Sequence, residues 1–235
     1  MAHRSRARFA LTAWRDSAVA RFIVAHPAMQ PFVFAALVSI YIWWVAPAAG
    51  MVPQAMCLAV LGSLPLASNL VHRDGWRDIG LRLDNLPRSA LAVGGASAAM
   101  AFLLVATGLM VATLAGTAGR FSLPSAVAIL TGPLWSFVQQ YVLQGFVRRR
   151  LRAACGPRTA AAVAALLFGS LHAPNPVLVP ATTLAGYVWC RLHERAPNLF
   201  TLALSHAGLA VLVLAVFPAA WHHGLRVGPG YRTWP

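Results

Sequence analysis

Apolar residues in this chain come in long unbroken runs separated by short charged segments. The windows 22–71, 89–119, 121–147, 159–190 and 196–225 contain no Asp, Glu, Lys or Arg. A membrane-spanning helix needs about 20 apolar residues, so the first window holds two helices. Pro47 and Pro53 mark the turn between them. Trp43 and Trp44 fall where an interfacial aromatic belt is expected. The third window is rich in Gly and Ala, which let helices approach closely. The fourth has Pro124 near its entrance and Pro133 inside it.

From 159 the chain runs apolar to "LHAPNPVLVP", where Pro174, Pro176 and Pro180 must break a helix. Non-helical backbone at that depth is tolerated only where it is buried in protein or faces water. Residues 177–190 return toward Arg191, either as a span or as a re-entrant segment, and 198–221 form the last span. The expected fold is an all-α polytopic membrane bundle of about seven segments. Its organisation is a lead over 1–28, one helical domain over 29–220 and a tail over 221–235.

Composition agrees with lipid as the solvent. Hydrophobic residues make up 59% and charged residues 10%, against about a quarter charged in soluble domains. Mean hydropathy is +0.65. The net charge of +14 suggests nucleic acid until its placement is considered. All nineteen basic residues are arginine, and they cluster before the first span, in the loop 72–88, over 148–158 and at 191–195, with Arg226 and Arg232 in the tail. The intervening connections are nearly free of them, Arg120 excepted. That alternation is the positive-inside pattern. It places the N-terminus in the cytoplasm, sets the chain in a cell (inner) membrane and brings arginines to anionic headgroups. Membrane lipids are therefore partners and nucleic acid is not.

The first long apolar run begins near Phe32, late for a cleaved signal core. Residues 9–24 mix Phe9, Leu11, Trp14, Phe22 and Ile23 with arginines, a pattern that suits an interfacial helix. Ile79, Leu81 and Leu83 lie among the charges of 72–88, so this loop is expected to lie on the cytoplasmic surface. Cys57, Cys155 and Cys190 have no metal spacing and read as small apolar residues.

Polar groups inside a membrane are costly and point to function. Gln139, Gln140 and Gln144 lie on the fourth span, His172 at the proline break and His206 on the last span. At 1.5 Å per residue, Gln139 lies roughly 13 Å in from Arg148 and His206 roughly 12 Å in from Asn198. His172 lies roughly 20 Å in from Thr159. Three chain segments are thus expected to bring amides and imidazoles to one cavity in the inner half of the bilayer. A packing role stands beside the functional one: Gln140 and Gln144 are four residues apart and can bond each other. His172 can equally satisfy a carbonyl freed by the prolines. A metal site would need further ligands, and no cofactor is expected.

Three stretches, "GPLWSFVQQYVLQGFVRRRL", "LLFGSLHAPNP" and "NLFTLALSHAGL", resemble the core of the CPBP family. These are CAAX-protease and bacteriocin-processing membrane proteins related to the Ras-converting prenyl endopeptidases. The family's Glu-Glu-x-x-x-Arg is occupied by Gln139, Gln140 and Gln144; its Phe-x-x-x-His by Phe168 and His172. Its His-x-x-x-Asn is matched at His206, with Ala210 at the asparagine position. The loop "GWRDIGLRLDNLPRSAL" is similar to one that the family carries before a span. The likeness covers roughly residues 72–215.

The resemblance implies an intramembrane endopeptidase whose first Glu and second-motif His activate water, with the third-motif His and Asn stabilising the oxyanion. Gln139 cannot accept the proton, a loss typically worth ~10²–10⁴-fold. His172 or His206 can serve as base instead, since imidazole titrates near neutrality. The family's second Glu and its Arg are four residues apart, and a lone survivor of that pair would be a buried unpaired charge. Gln140 and Gln144 replace both with amides. Two readings follow. One is an endopeptidase acting on a membrane-bound peptide or lipidated protein with a non-standard motif. The other is a silent relative holding a peptide, lipid or prenyl tail in the same cavity.

Overall fold

The computed structural model describes residues 21, 24–117 and 125–233. Most of the expected lead over 1–28, Arg120 and the entrance at Pro124 lie outside the described residues. Every regular element among the described residues is helical. We label α1 Pro27–Ala48, α2 Met51–Val71, α3 Leu86–Leu114 and α4 Ala126–Gln140. α5 is Arg149–Ser170, α6 Leu178–Arg195 and α7 Leu199–Val216. A π-helical segment, Tyr141–Arg148, joins α4 to α5.

Among the described residues, five helical stretches are long and apolar enough to cross a membrane: α1, α2, α3, Ile129–Ser170 and α7. The fourth is not one straight rod. Gly156, at φ 74°, turns the chain inside α5, and Pro157 restarts the helix. α6 is less apolar, because Arg191, His193, Glu194 and Arg195 fill its last turns. The expectation of about seven crossings therefore resolves into five apolar stretches, one of them bent, plus α6. The proline-rich break lies at 171–177, between α5 and α6. The chain is a multi-pass helical membrane protein.

The core lies where α5, α6 and the π-helical segment meet α3 and α7. Ala160, Ala161, Ala164, Trp189, Leu202 and Leu143 are almost fully buried there. Small residues set the approach of α5 to α6. A Cβ on Gly169 would fall 1.8 Å from Thr183 Oγ1, so any side chain there would force the helices apart. Outward-facing Leu91, Phe102, Leu130 and Leu134 are exposed, as lipid-facing positions should be.

The loop 72–88 differs from expectation. It does not simply lie on the surface: Ile79 is 1% exposed and presses against the π-helical segment at Gly145. Gly80 O accepts from Leu199 N at 2.9 Å. Asn198 caps α7 by accepting from Phe200 N and Thr201 N, and its amide donates to Arg82 O. One residue thus starts the last span and fastens the loop.

The arginines of 148–150 also do more than meet headgroups. Arg150 donates through Nε to Ser68 Oγ at 2.8 Å and through Nη2 to Asn69 Oδ1 at 2.7 Å, and it pairs with Asp74. Arg149 Nε reaches Asp74 Oδ1 at 2.6 Å. Arg148 Nη2 donates to His193 Nδ1 at 2.9 Å. That bond fixes the tautomer, so His193 Nε2–H donates to Ile79 O at 2.9 Å. Burial of these charges requires such partners, and they tie the loop to the helix ends.

Candidate functional site

A large, mainly apolar cavity of about 1630 Å³ runs between the helices. It exceeds the ~300–1,000 Å³ of ordinary small-molecule pockets, and Met100, Leu104, Val142 and Leu167 are among its walls. Its polar lining includes Gln139 from α4, His172 from the proline break and His206 from α7. Phe168 and Ala210 line it too.

Phe168 organises the two imidazoles. Its ring meets His172 edge-on at 4.8 Å and His206 edge-on at 5.8 Å between centroids. Trp189 covers His206 from α6 at 4.7 Å. Trp189 is held in turn by its Nε1–H, which donates to Ser205 Oγ at 3.0 Å, and Ser205 bonds Ser97 of α3 at 2.6 Å. The helical register that places Ser205 and His206 side by side therefore locks α7 against two neighbours. His206 Nδ1 is buried with no hydrogen-bond partner among the described residues.

His172 lies where α5 has ended, so carbonyls of its last turn are free of helical partners. Nδ1 takes one of them, bonding Phe168 O at 2.7 Å. A carbonyl only accepts, so Nδ1 carries the proton and Nε2 keeps its lone pair. Gln139 Oε1 is buried without a partner among the described residues. No carboxylate lines the cavity among the described residues.

Gln140 and Gln144 are placed differently. Both are fully buried, neither lines the cavity, and Gln144 Nε2 donates to Gln140 Oε1 at 3.3 Å. They form a neutral amide contact inside the helix packing, with Gln140 at the end of α4 and Gln144 in the π-helical segment that follows it. The five predicted polar residues therefore separate into a cavity trio, Gln139, His172 and His206, and a packing pair. Among the described residues, no group of three or more His, Cys, Asp or Glu side chains is gathered to hold a metal.

Sequence reasoning missed several residues near the site. Trp189 and Ser205 orient His206, and an indole on an otherwise small-residue face of α6 was the available signal. Asn175 was visible only as motif context. It is fully buried: Oδ1 accepts from Val177 N and Leu178 N, while Nδ2 donates to His222 O and Arg226 O. Gly228 N bonds Ala173 O as well. The segment after α7 thus folds back over the break and adds Trp221, Leu225 and Val227 to the cavity wall.

Comparison with known proteins gives one positive result. Residues 120–212 match the family model described as Type II CAAX prenyl endopeptidase Rce1-like. No curated protein and no solved structure matches the chain.

Proposed function

We propose that this chain, which belongs to the CAAX-protease family of membrane proteins, binds a membrane-borne peptide in its cavity and hydrolyses it with His172 as base. The observation that carries this reading is the Nδ1 bond to Phe168 O, which leaves Nε2 as a proton acceptor on the cavity wall. A water beside Nε2 gives up its proton as it attacks the peptide carbonyl. The same imidazolium then protonates the leaving amine. Gln139 orients the water through its amide, and His206 faces the developing oxyanion. The apolar walls suit a lipid or prenyl tail on the substrate.

Gln139 and Ala210 make this a slow enzyme. A carboxylate at 139 would add about 10²–10⁴-fold, and a donor at 210 about 10²–10³-fold. Those two residues also favour the second reading, a family member that retains the ligand without cleaving it. The arginine bias assigns the basic end of the bundle and the N-terminus to the cytoplasm, in a cell (inner) membrane.

The test uses the full chain in lipid nanodiscs with a fluorogenic peptide carrying a farnesyl or long acyl anchor. Under the first reading, His172→Ala abolishes cleavage, His172→Gln does not restore it, and Gln139→Glu accelerates it. Peptide retention without cleavage, in the native chain and in Gln139→Glu alike, establishes the second.

A further inference from the structure

The basic end of the bundle holds a second hollow, of about 270 Å³, lined by Asp78, Arg148, Arg149, Arg152, His193 and Glu194. Arg148 is the unusual member. Its side chain is 4% exposed, and its Nη2 is committed to His193. Nε and Nη1 are buried with no hydrogen-bond partner among the described residues. The nearest carboxylate oxygen, Glu194 Oε1, stands 3.8 Å from Nη1, too far to bond. Guanidinium nitrogens in this state are costly to bury without an acceptor.

The local charges do not balance. Arg148, Arg149, Arg150, Arg152 and Arg191 share only Asp74, Asp78 and Glu194. Glu194 alone is approached by three arginines, at 3.0 Å from Arg152, 3.6 Å from Arg191 and 3.8 Å from Arg148. Five guanidinium groups against three carboxylates leave two positive charges in excess, one of them among the residues that line the hollow. Arg152, with a side chain 56% exposed, opens it to the surrounding medium. A phosphate supplies both the missing charge and several acceptor oxygens, and guanidinium groups match its geometry. The hollow also lies at the ends of membrane helices, the level at which phospholipid phosphates run.

We propose that this hollow binds the phosphate of an anionic membrane lipid, with Arg148 and Arg152 as its donors and Glu194 as a competing internal anion. The site is independent of any hydrolysis in the larger cavity. Lipid bound there bridges the loop 72–88, the start of α5 and the end of α6, all of which meet at Arg148 and His193.

The test is native mass spectrometry of the full chain in detergent, titrated with phosphatidylglycerol, phosphatidic acid or phosphatidylcholine. Both anionic lipids are expected to be retained at least about fivefold better than phosphatidylcholine, the factor for about 1 kcal/mol per surface arginine. Arg152→Gln weakens their binding by about that factor. Arg195→Gln, which removes the same charge away from the hollow, leaves it unchanged. Glu194→Gln tightens it, a gain that a purely structural ion pair does not produce and that needs no change to Arg148. Equal retention of all three lipids, or equal losses in Arg152→Gln and Arg195→Gln, overturns the proposal. Displacement by inorganic phosphate with no preference among lipids assigns the hollow to the free ion and overturns the lipid assignment.

Discussion

Two polar regions lie along one helical path, a single turn apart, and they are built on opposite principles. Gln140 and Gln144 are neutral, fully buried and bonded to each other. Arg148 and Arg150 are charged, almost as deeply buried, and met by His193, Asp74, Ser68 and Asn69 from three other segments. The difference follows from distance to the helix end. Near the end, the loop 72–88 and the last turns of α6 supply carboxylates and carbonyls that offset desolvation. Deeper in, Gln144 meets the Cys190 thiol of α6, and an amide pair keeps the spacing of the motif at a lower desolvation cost than two charges.

That contrast breaks most sharply at the charged end. Asp74→Asn, or Arg150→Met alone, leaves one buried partner uncompensated and is expected to destabilise the chain by about 3–5 kcal/mol. Exchanging both for apolar residues should cost far less. Thermal unfolding in detergent measures both. At the amide pair, Gln140→Glu and Gln144→Arg should each destabilise singly and compensate when combined. The expected coupling is about 0.5–3 kcal/mol by double-mutant cycle. Additive losses would show that the contact is not a replacement for an ion pair.

Smaller effects belong to the segment that folds over the proline break. Asn175→Ala removes the bonds to His222 O, Arg226 O, Val177 N and Leu178 N. It is expected to cost about 1–3 kcal/mol, with hydrogen exchange rising over 217–232 and little change in α1–α3. The smallest effect is a pH dependence. Burial, reinforced by the neighbouring His223, holds His222 below its ordinary value of 6.5. The neutral imidazole is the folded form, and its Nδ1 accepts from Gly224 N. The contribution is thus complete above pH 6.5 and is lost as pH falls below it, because the unfolded chain protonates first. Exchange protection of 217–232 should fall between pH 7 and 5, and His222→Gln should flatten that profile.

Much of the bundle was legible in the sequence because lipid imposes a one-dimensional rule. Charge-free windows give α1, α2, α3 and α7 within a few residues, and three prolines give the break between α5 and α6. The turn at Gly156 was signalled by the Gly156-Pro157 pair, but the arginines around it drew the reading of 148–158 as a charged segment only. The fates of Arg148, Arg150 and the loop 72–88 were hidden for a different reason. Their partners lie 45, 76 and 114 residues away in sequence, and only the folded bundle brings them together. The same holds for the site. The spacing of Gln140 and Gln144 foretold their contact, whereas the orientation of His206 depends on Trp189 and Ser97, which no motif names.

The most direct measurement is isotope incorporation. The full chain in nanodiscs is incubated in H2¹⁸O with an apolar-anchored peptide, and the products are read by mass spectrometry. The expected result is a new carboxylate carrying a single ¹⁸O, absent in His172→Ala and formed faster in Gln139→Glu. Intact peptide in all three proteins, still bound to the cavity, contradicts hydrolysis and leaves a protein that only holds its ligand.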